Sequence, residues 1–119
     1  MAQYVDGFVL AIPKANATRY RAIARKAGKI WMEHGALQYV ECMGDDVKPG
    51  KLTSFPQAVK AKEDEVVWFS WIVYKSRRDR DRINALVMAD PRLKNMGPDS
   101  MPFDGKRMIF GGFKTQVEF

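Results

Sequence analysis

Several segments of this chain have hydrophobic residues at both sets of alternating positions. Successive side chains of a β-strand point to opposite faces of the sheet. In EVVWFSWIVY, residues 65–74, nearly every position of either set is apolar. YVDGFVLAIP, residues 4–13, shares this property, as does the strand expected within KRMIFGGFKTQVEF, residues 106–119. The pattern therefore predicts strands that need cover on both faces.

A helix with one apolar side is expected between the first strand and the second. Its hydrophobic positions recur at steps of three and four residues, which is typical of an amphipathic helix. Gly35 follows at once and is the usual residue where a helix ends in a left-handed turn. The apolar stripe consists of Tyr20, Ile23, Ala24, Ala27, Ile30, Trp31 and His34.

A second helix is expected between the third strand and the fourth. Ser76 with Asp79 three residues later forms a weaker version of the capping box that begins many helices. The helix is expected to end near Asp90, because the residue before a proline is pushed out of helical geometry. Its inner stripe consists of Ile83, Leu86 and Val87.

The segment ALQYVECMG, residues 36–44, alternates again and predicts the second strand. The polar connection over residues 44–64 is long enough to be a lid, an arm or a disordered loop. The resulting order, β-α-β followed by β-α-β, predicts an α+β, ferredoxin-like fold with four antiparallel strands and both helices on one face. At 119 residues the chain is expected to form one domain, residues 1–119, with a single core.

Two helices on one face would leave the other face of the sheet bare. An apolar surface of that size exceeds the few hundred Å² that is usual for the largest patch on a soluble monomer. A second copy of the chain, packed sheet to sheet as a two-fold homodimer, is the simplest cover. The alternative is that the 44–64 loop folds over the sheet within one chain.

The formal net charge of +6 is concentrated on the expected helices. Residues 14–34 hold six basic side chains and one acidic one, and residues 75–94 hold seven and three. RNA-recognition modules share this fold and stack bases on aromatic side chains of the sheet. The sheet of this chain instead carries Asp6 and Glu41, which repel phosphate, so this mode of RNA binding is disfavoured. Weak, salt-sensitive RNA binding through the arginines of residues 77–82 is the alternative.

The sequence also bears on the compartment. No run approaches the roughly 18 apolar residues of a membrane span, and the first residues lack the basic and then apolar pattern of a secretory signal. Cys42 is the single cysteine, which allows no internal disulfide and agrees with a reducing compartment. We therefore expect a cytoplasmic protein without a membrane segment.

Polar residues within the apolar strands are candidates for chemistry. Asp6 and Glu41 lie in the middle of the first and second strands, and Ser70 lies at the centre of the third. If they meet in one cleft, a carboxylate enclosed by aromatic groups would favour its neutral form and could accept or donate a proton. The alternative is that both carboxylates are edge or dimer contacts paired with Arg107 or Lys106.

His34, the one histidine, is a third candidate for proton transfer near neutral pH. Its place in the last turn of the first helix equally suits a structural role at the helix dipole. Trp68, Tyr39 and Phe8, together with Ser70, are the candidates to line a pocket for a flat apolar ligand. One histidine and one cysteine supply no metal-ligand spacing, and we expect neither a metal nor a cofactor.

Six segments together span nearly the whole chain: YVDGFVLAIPK, WMEHGALQYVECMGDDV, TSFPQAVKAKEDE, VVWFSWIVYKSR, VMADPRL and MPFDGKRMIFGGF. In these segments the chain resembles the YbaA-like family of small bacterial proteins, a domain of unknown function. The resemblance implies a place in the dimeric α/β-barrel superfamily, where two sheets meet to form a partial barrel with a cleft. Relatives in that superfamily include cofactor-free monooxygenases of aromatic substrates, small isomerases and stress-related proteins. The family itself brings no agreed catalytic residues.

Pattern and resemblance together predict a homodimer with a cleft for a small apolar or aromatic metabolite. One hypothesis is a cofactor-free enzyme in which His34, Asp6 or Glu41 moves protons. The other is a non-enzymatic interaction or stress protein whose working unit is the dimer. At this point both hypotheses stay open.

Overall fold

The computed structural model describes residues 2–94, 96 and 100–119, which form a four-stranded sheet and three α-helices. The strands are β1 (Tyr4–Pro13), β2 (Gln38–Met43), β3 (Glu65–Tyr74) and β4 (Ile109–Lys114). The helices are α1 (Ala17–Glu33), α2 (Phe55–Ala58) and α3 (Arg77–Met88). Short 3-10 turns occupy Lys14–Asn16, Pro91–Leu93 and Gly105–Arg107.

The strands lie in the order β2-β3-β1-β4, and every neighbouring pair is antiparallel. The two long strands, β1 and β3, are central and pair over all ten of their residues. This is the expected α+β, ferredoxin-like arrangement, which the structure confirms. The register sets Phe8 and Glu41 on either side of Ser70, so these three residues share the helix-facing side of the sheet.

The long helices begin and end at residues that satisfy their free backbone groups. α1 ends at His34, whose N–H donates to the carbonyl of Ile30 at 3.1 Å. Gly35 follows with a φ of 115°, a left-handed conformation that favours glycine. At the start of α3, the Ser76 hydroxyl accepts the N–H of Asp79 at 3.1 Å, which is the expected capping bond.

α1 and α3 pack on one face of the sheet and enclose the core. One cluster consists of Tyr4, Ile30, Ala36, Ile72, Tyr74, Ile83 and Val87. A second cluster consists of Leu10, Ile12, Tyr20, Ala24 and Trp68. The prediction that the inner stripe of α3 is buried is confirmed for Ile83 and Val87. It is wrong for Leu86, which is exposed.

The opposite side of the sheet, the outer face, is apolar and largely open. Its apolar residues are Val5, Gly7, Val9, Ala11, Val40, Cys42, Val67, Phe69, Trp71, Val73, Ile109, Gly111 and Phe113. Gln38 also lies on this face, where its Oε1 accepts the indole N–H of Trp71 at 3.0 Å. Phe69 is 43% exposed, Ile109 46% and Phe113 63%. Aromatic contacts continue across it, because the Phe69 ring lies edge-on to both Phe55 and Trp71 at 6.0 and 5.8 Å.

The 44–64 connection covers one end of the outer face. It contains α2, which the sequence did not predict and which begins where the Ser54 hydroxyl accepts the N–H of Gln57. Just after this helix, Val59 packs with Ala11 and Val67 in a third small cluster. The expectation that the loop folds over the sheet is therefore right for that end alone, and the rest of the outer face stays uncovered.

Candidate functional site

The centre of the site is the carboxylate of Glu41, on the helix-facing side of β2. The Tyr20 hydroxyl donates to both carboxylate oxygens, at 3.0 and 2.9 Å. The Tyr39 hydroxyl donates to Oε2 at 3.1 Å. In the part of the chain that the structure describes, no lysine, arginine or histidine forms an ion pair with Glu41. The charge is thus balanced by hydroxyl dipoles instead of by a cation.

These surroundings shift the pKa values of the cluster. Burial raises the pKa of Glu41 above its ordinary value, and the hydrogen bonds from Tyr20, Tyr39 and Ser70 lower it by a smaller amount. Burial raises the pKa of both tyrosines, and the neighbouring Glu41 charge raises it further. The tyrosines therefore keep their protons as donors, and Glu41 takes up a proton more readily than an exposed glutamate does.

Aromatic packing and a close helix approach hold the two tyrosines in place. The Tyr20 ring lies edge-on to Trp68 at 4.9 Å and to Phe103 at 5.6 Å. Gly28 of α1 faces the ring of Tyr39, and a Cβ added at Gly28 would lie 2.7 Å from Tyr39 Cδ1. Glycine is required there because any side chain would displace that ring.

An apolar cavity of about 200 Å³ lies beside Glu41, between α1 and the sheet. Phe8, Tyr39 and Ser70 line it from the strands, and Tyr20 lines it from α1. The segment that follows α3 closes it with Met96, Met101, Phe103 and Met108. Glu41 and Ser70 supply polar groups in a wall that is otherwise almost entirely apolar, which is the usual composition of a small-molecule pocket.

A wider groove of about 780 Å³ lies on the other side of Glu41, between α1 and the edge strand β2. Ala24, Tyr39 and Glu41 line both the groove and the cavity. Trp68 also lines the groove, and its indole Nε1–H is buried without an acceptor among the described residues. The cavity and the groove are therefore adjacent and share a wall at Glu41.

The structure brings together five of the seven residues singled out from the sequence. Glu41, Ser70, Tyr39 and Phe8 all line the cavity, and Trp68 packs beside it against Tyr20. Their roles in ligand binding and proton transfer stay predictions.

Asp6 has a different set of contacts. It is buried, with 6% of its surface exposed, and it accepts a hydrogen bond from Arg80 of α3 at 2.7 Å. The same guanidinium lies over the ring of Tyr4 at 4.9 Å. Asp6 is thus engaged in a buried ion pair, and its carboxylate does not line the cavity beside Glu41.

His34 also lies apart from the cavity. Its Nε2 is 2.9 Å from the Asp90 carboxylate, which in turn binds Arg92. This cluster ties the end of α1 to the end of α3. The geometry matches the structural reading of His34 at a helix terminus.

The expected pairing of Asp6 and Glu41 with Arg107 or Lys106 is wrong. Arg107 donates to Glu65 at 2.7 Å and to Asp104 at 3.0 Å. This arginine therefore links the start of β3 to the turn before β4. It has no contact with either strand carboxylate.

Tyr20 is the residue of the candidate site that the sequence pattern does not single out. The pattern places it correctly on the apolar stripe of α1 but predicts no partner for its hydroxyl. A buried tyrosine hydroxyl normally finds a hydrogen-bond partner. That rule could have paired it with one of the strand carboxylates.

Within residues 2–94, 96 and 100–119, no group of three or more His, Cys, Asp or Glu side chains is placed to hold a metal ion. The same residues contain no helix that is both long and apolar enough to cross a membrane. Two of the four α3 arginines considered for RNA are already paired, Arg80 with Asp6 and Arg82 with Asp79.

The comparisons with known proteins agree in family and fold. The family described as "Protein of unknown function (DUF1428)" matches residues 3–105. The "Uncharacterized protein YbaA" of Escherichia coli K12 is 53% identical over 116 residues, covering 98% of each chain, and the Shigella flexneri protein of the same name matches equally. A solved dimeric ferredoxin-like protein from an uncultured marine organism covers 100% of both chains at 8% identity, with a TM-score of 0.61. That likeness shows the fold. The match to the family model and the identity with YbaA show that the chain belongs to the DUF1428 family.

Proposed function

We propose that this protein is a single-domain homodimer that binds a small apolar or aromatic molecule in the cavity, where Glu41 exchanges a proton with it. One observation carries the proposal. A part-buried carboxylate, with no cationic partner among the described residues, lies at the wall of an apolar cavity. Perturbed carboxyl groups of this kind are typical of functional sites.

The chemistry follows from the two forms of Glu41. In its ionised form the carboxylate can accept a proton from a weakly acidic C–H or O–H group of the bound molecule. In its neutral form it can return that proton to another atom of the same molecule. Such a cycle needs no cofactor, and proton transfer of this kind contributes roughly a hundredfold to ten-thousandfold in rate.

Dimerisation rests on separate support. The outer face is apolar and its centre is uncovered, and the marine ferredoxin-like protein with this fold is described as dimeric. A second copy would cover the faces of both sheets at once. A location in the cytoplasm stays a prediction from the sequence.

A non-enzymatic binding protein is the second candidate. It is favoured by the hydrogen bonds that Tyr20 and Tyr39 already make to Glu41, which suit a carboxylate that fixes the helix against the sheet. In that case the cavity would hold a ligand without changing it.

The test uses 2-indanone, a flat aromatic ketone with weakly acidic C–H groups next to its carbonyl. Binding is followed through the ¹³C-labelled methyl groups of Met101 and Met108 in the cavity, with the exposed Met88 of α3 as the internal control. Proton transfer is followed by the loss of the acidic ¹H signals of 2-indanone in D₂O.

The enzyme reading expects cavity methyl shifts and exchange that falls at least about a hundredfold in Glu41→Gln. The matched control Glu63→Gln, at an exposed position, should exchange like the wild type. Methyl shifts without exchange would favour the non-enzymatic candidate. If 2-indanone, indole and toluene all leave Met101 and Met108 unshifted, the cavity proposal is refuted.

A further inference from the structure

Three cationic side chains form a line along the groove. Arg21, Arg25 and Lys29 follow one another at four-residue intervals on α1, so they occupy one stripe of the helix surface. All three are exposed and line the groove beside β2. This stripe borders the place where the groove meets the cavity.

The stripe has no counter-charge in the described part of the chain. None of the ion pairs there includes Arg21, Arg25 or Lys29. Like charges spaced four residues apart repel and destabilise a helix. The stripe is therefore unfavourable for α1 itself and is suited to an anion from outside.

The two carboxylates that line the groove are both occupied. Glu33 is bound by Arg92 at 2.7 Å, and Glu41 accepts the two tyrosine hydroxyl groups. Met32, Met43 and Trp68 supply the apolar part of the groove lining.

We infer that the ligand is an apolar or aromatic carboxylate, with its apolar body in the cavity and its carboxylate in the groove against Arg21, Arg25 and Lys29. The inference rests on the proposed function, since it names the substrate class of the same cavity. Ala24, Tyr39 and Glu41 line both spaces, so the cavity and the groove are adjacent, and the ligand is expected to pass beside Glu41 from one to the other. Arginine is well suited to this role because its guanidinium binds carboxylates through two parallel hydrogen bonds.

The test compares carboxylates with neutral amides of the same shape. The probe pairs are benzoate with benzamide, phenylacetate with phenylacetamide, and 3-phenylpropionate with 3-phenylpropionamide. Labelled methionine methyl groups report the place of binding, because Met32 and Met43 line the groove while Met101 and Met108 line the cavity. The dissociation constant of each probe is read from the same titration.

We expect at least one carboxylate to shift both groups of methionines and to bind more tightly than its amide. Arg25→Gln and Lys29→Gln should each weaken the carboxylate by up to about fivefold, as expected for an exposed charge pair, and leave the amide unchanged. Lys26→Gln is the matched control, since Lys26 is exposed on α1 but does not line the groove. It should leave both affinities as they are.

Two results would overturn this inference while leaving the proposed function standing. In one, the amides shift the cavity methionines and bind as tightly as the carboxylates. In the other, Lys26→Gln weakens the carboxylates as much as Lys29→Gln does, which would reveal unspecific attraction to a positive surface. If no probe of either kind shifts Met101 or Met108, the inference fails together with the cavity on which it rests.

Discussion

Replacement of Phe69 by serine tests whether the outer face is an interface between two copies. A phenylalanine has about 200 Å² of accessible surface, and Phe69 is 43% exposed, so about 85 Å² of it is left to bury. At about 25 cal/mol per Å², this is worth about 2 kcal/mol. A two-fold interface contains the residue twice, so Phe69→Ser should cost the dimer about 4 kcal/mol, or about a thousandfold in its dissociation constant.

The assay is sedimentation equilibrium over a range of protein concentrations. Leu86→Ser is the matched control, because Leu86 is also 43% exposed but lies on α3, on the other side of the sheet. It removes exposed apolar surface as Phe69→Ser does, yet none of it from the outer face. We therefore expect the control to dimerise like the wild type.

Two results would refute this reasoning. A wild type that stays monomeric at all concentrations would leave the outer face without its proposed cover. Equal weakening by Phe69→Ser and Leu86→Ser would show that association follows general surface hydrophobicity. Ile109→Ser, on the outer face of β4, repeats the test, and circular dichroism melts check that each variant is folded.

Three further substitutions test the site and the fold. Burial raises the pKa of Glu41 above its ordinary value, so the folded chain holds that proton more tightly than the unfolded chain. In urea unfolding, the free energy of unfolding of the wild type should therefore fall relative to that of Glu41→Gln as the pH rises from the pKa of Glu41 in the unfolded chain through its raised pKa in the folded chain. A difference between the two proteins that does not change with pH would contradict this. Asp6→Ala should cost about 2 kcal/mol in the same assay, because it removes the charged hydrogen bond to the part-buried Arg80 of α3. Asp81→Ala, at the exposed contact of that arginine, should cost at most about 1 kcal/mol. Gly28→Ala should lower the melting temperature. Overpacking of the added methyl group against Tyr39 costs about 1–3 kcal/mol, whereas alanine favours the helix by about 1 kcal/mol relative to glycine. A higher melting temperature would show that the ring of Tyr39 can move at no cost.

The strands show how far local sequence determines this fold. β1 and β3 have the predicted ends because Pro13 and Ser76 stop or redirect the chain nearby. β4 is shorter than its apolar pattern, which continues to Val117. The reason is pairing, since Lys114 lies opposite Tyr4, where β1 begins, and later residues have no strand beside them.

The residues of the candidate site could be predicted from the sequence where a polar side chain interrupts an apolar strand. Glu41 and Ser70 stand out as polar residues within apolar strands, and they do lie at the cavity. The partners of the carboxylates were not predictable, because each pairing joins residues far apart in the sequence. Tyr20 reaches Glu41 and Arg80 reaches Asp6 only after the helices have packed on the sheet.

The partial cover by α2 limits how two copies could associate. Val59 and the short helix before it occupy the outer face above Ala11 and Val67, so a second sheet cannot slide over that end without a steric clash. In the proposed two-fold dimer the same obstacle is present on both chains, so the two sheets would meet through the open part of the face, which includes Phe69 and Phe113. The segment would thereby exclude alignments in which the second sheet is shifted toward that end.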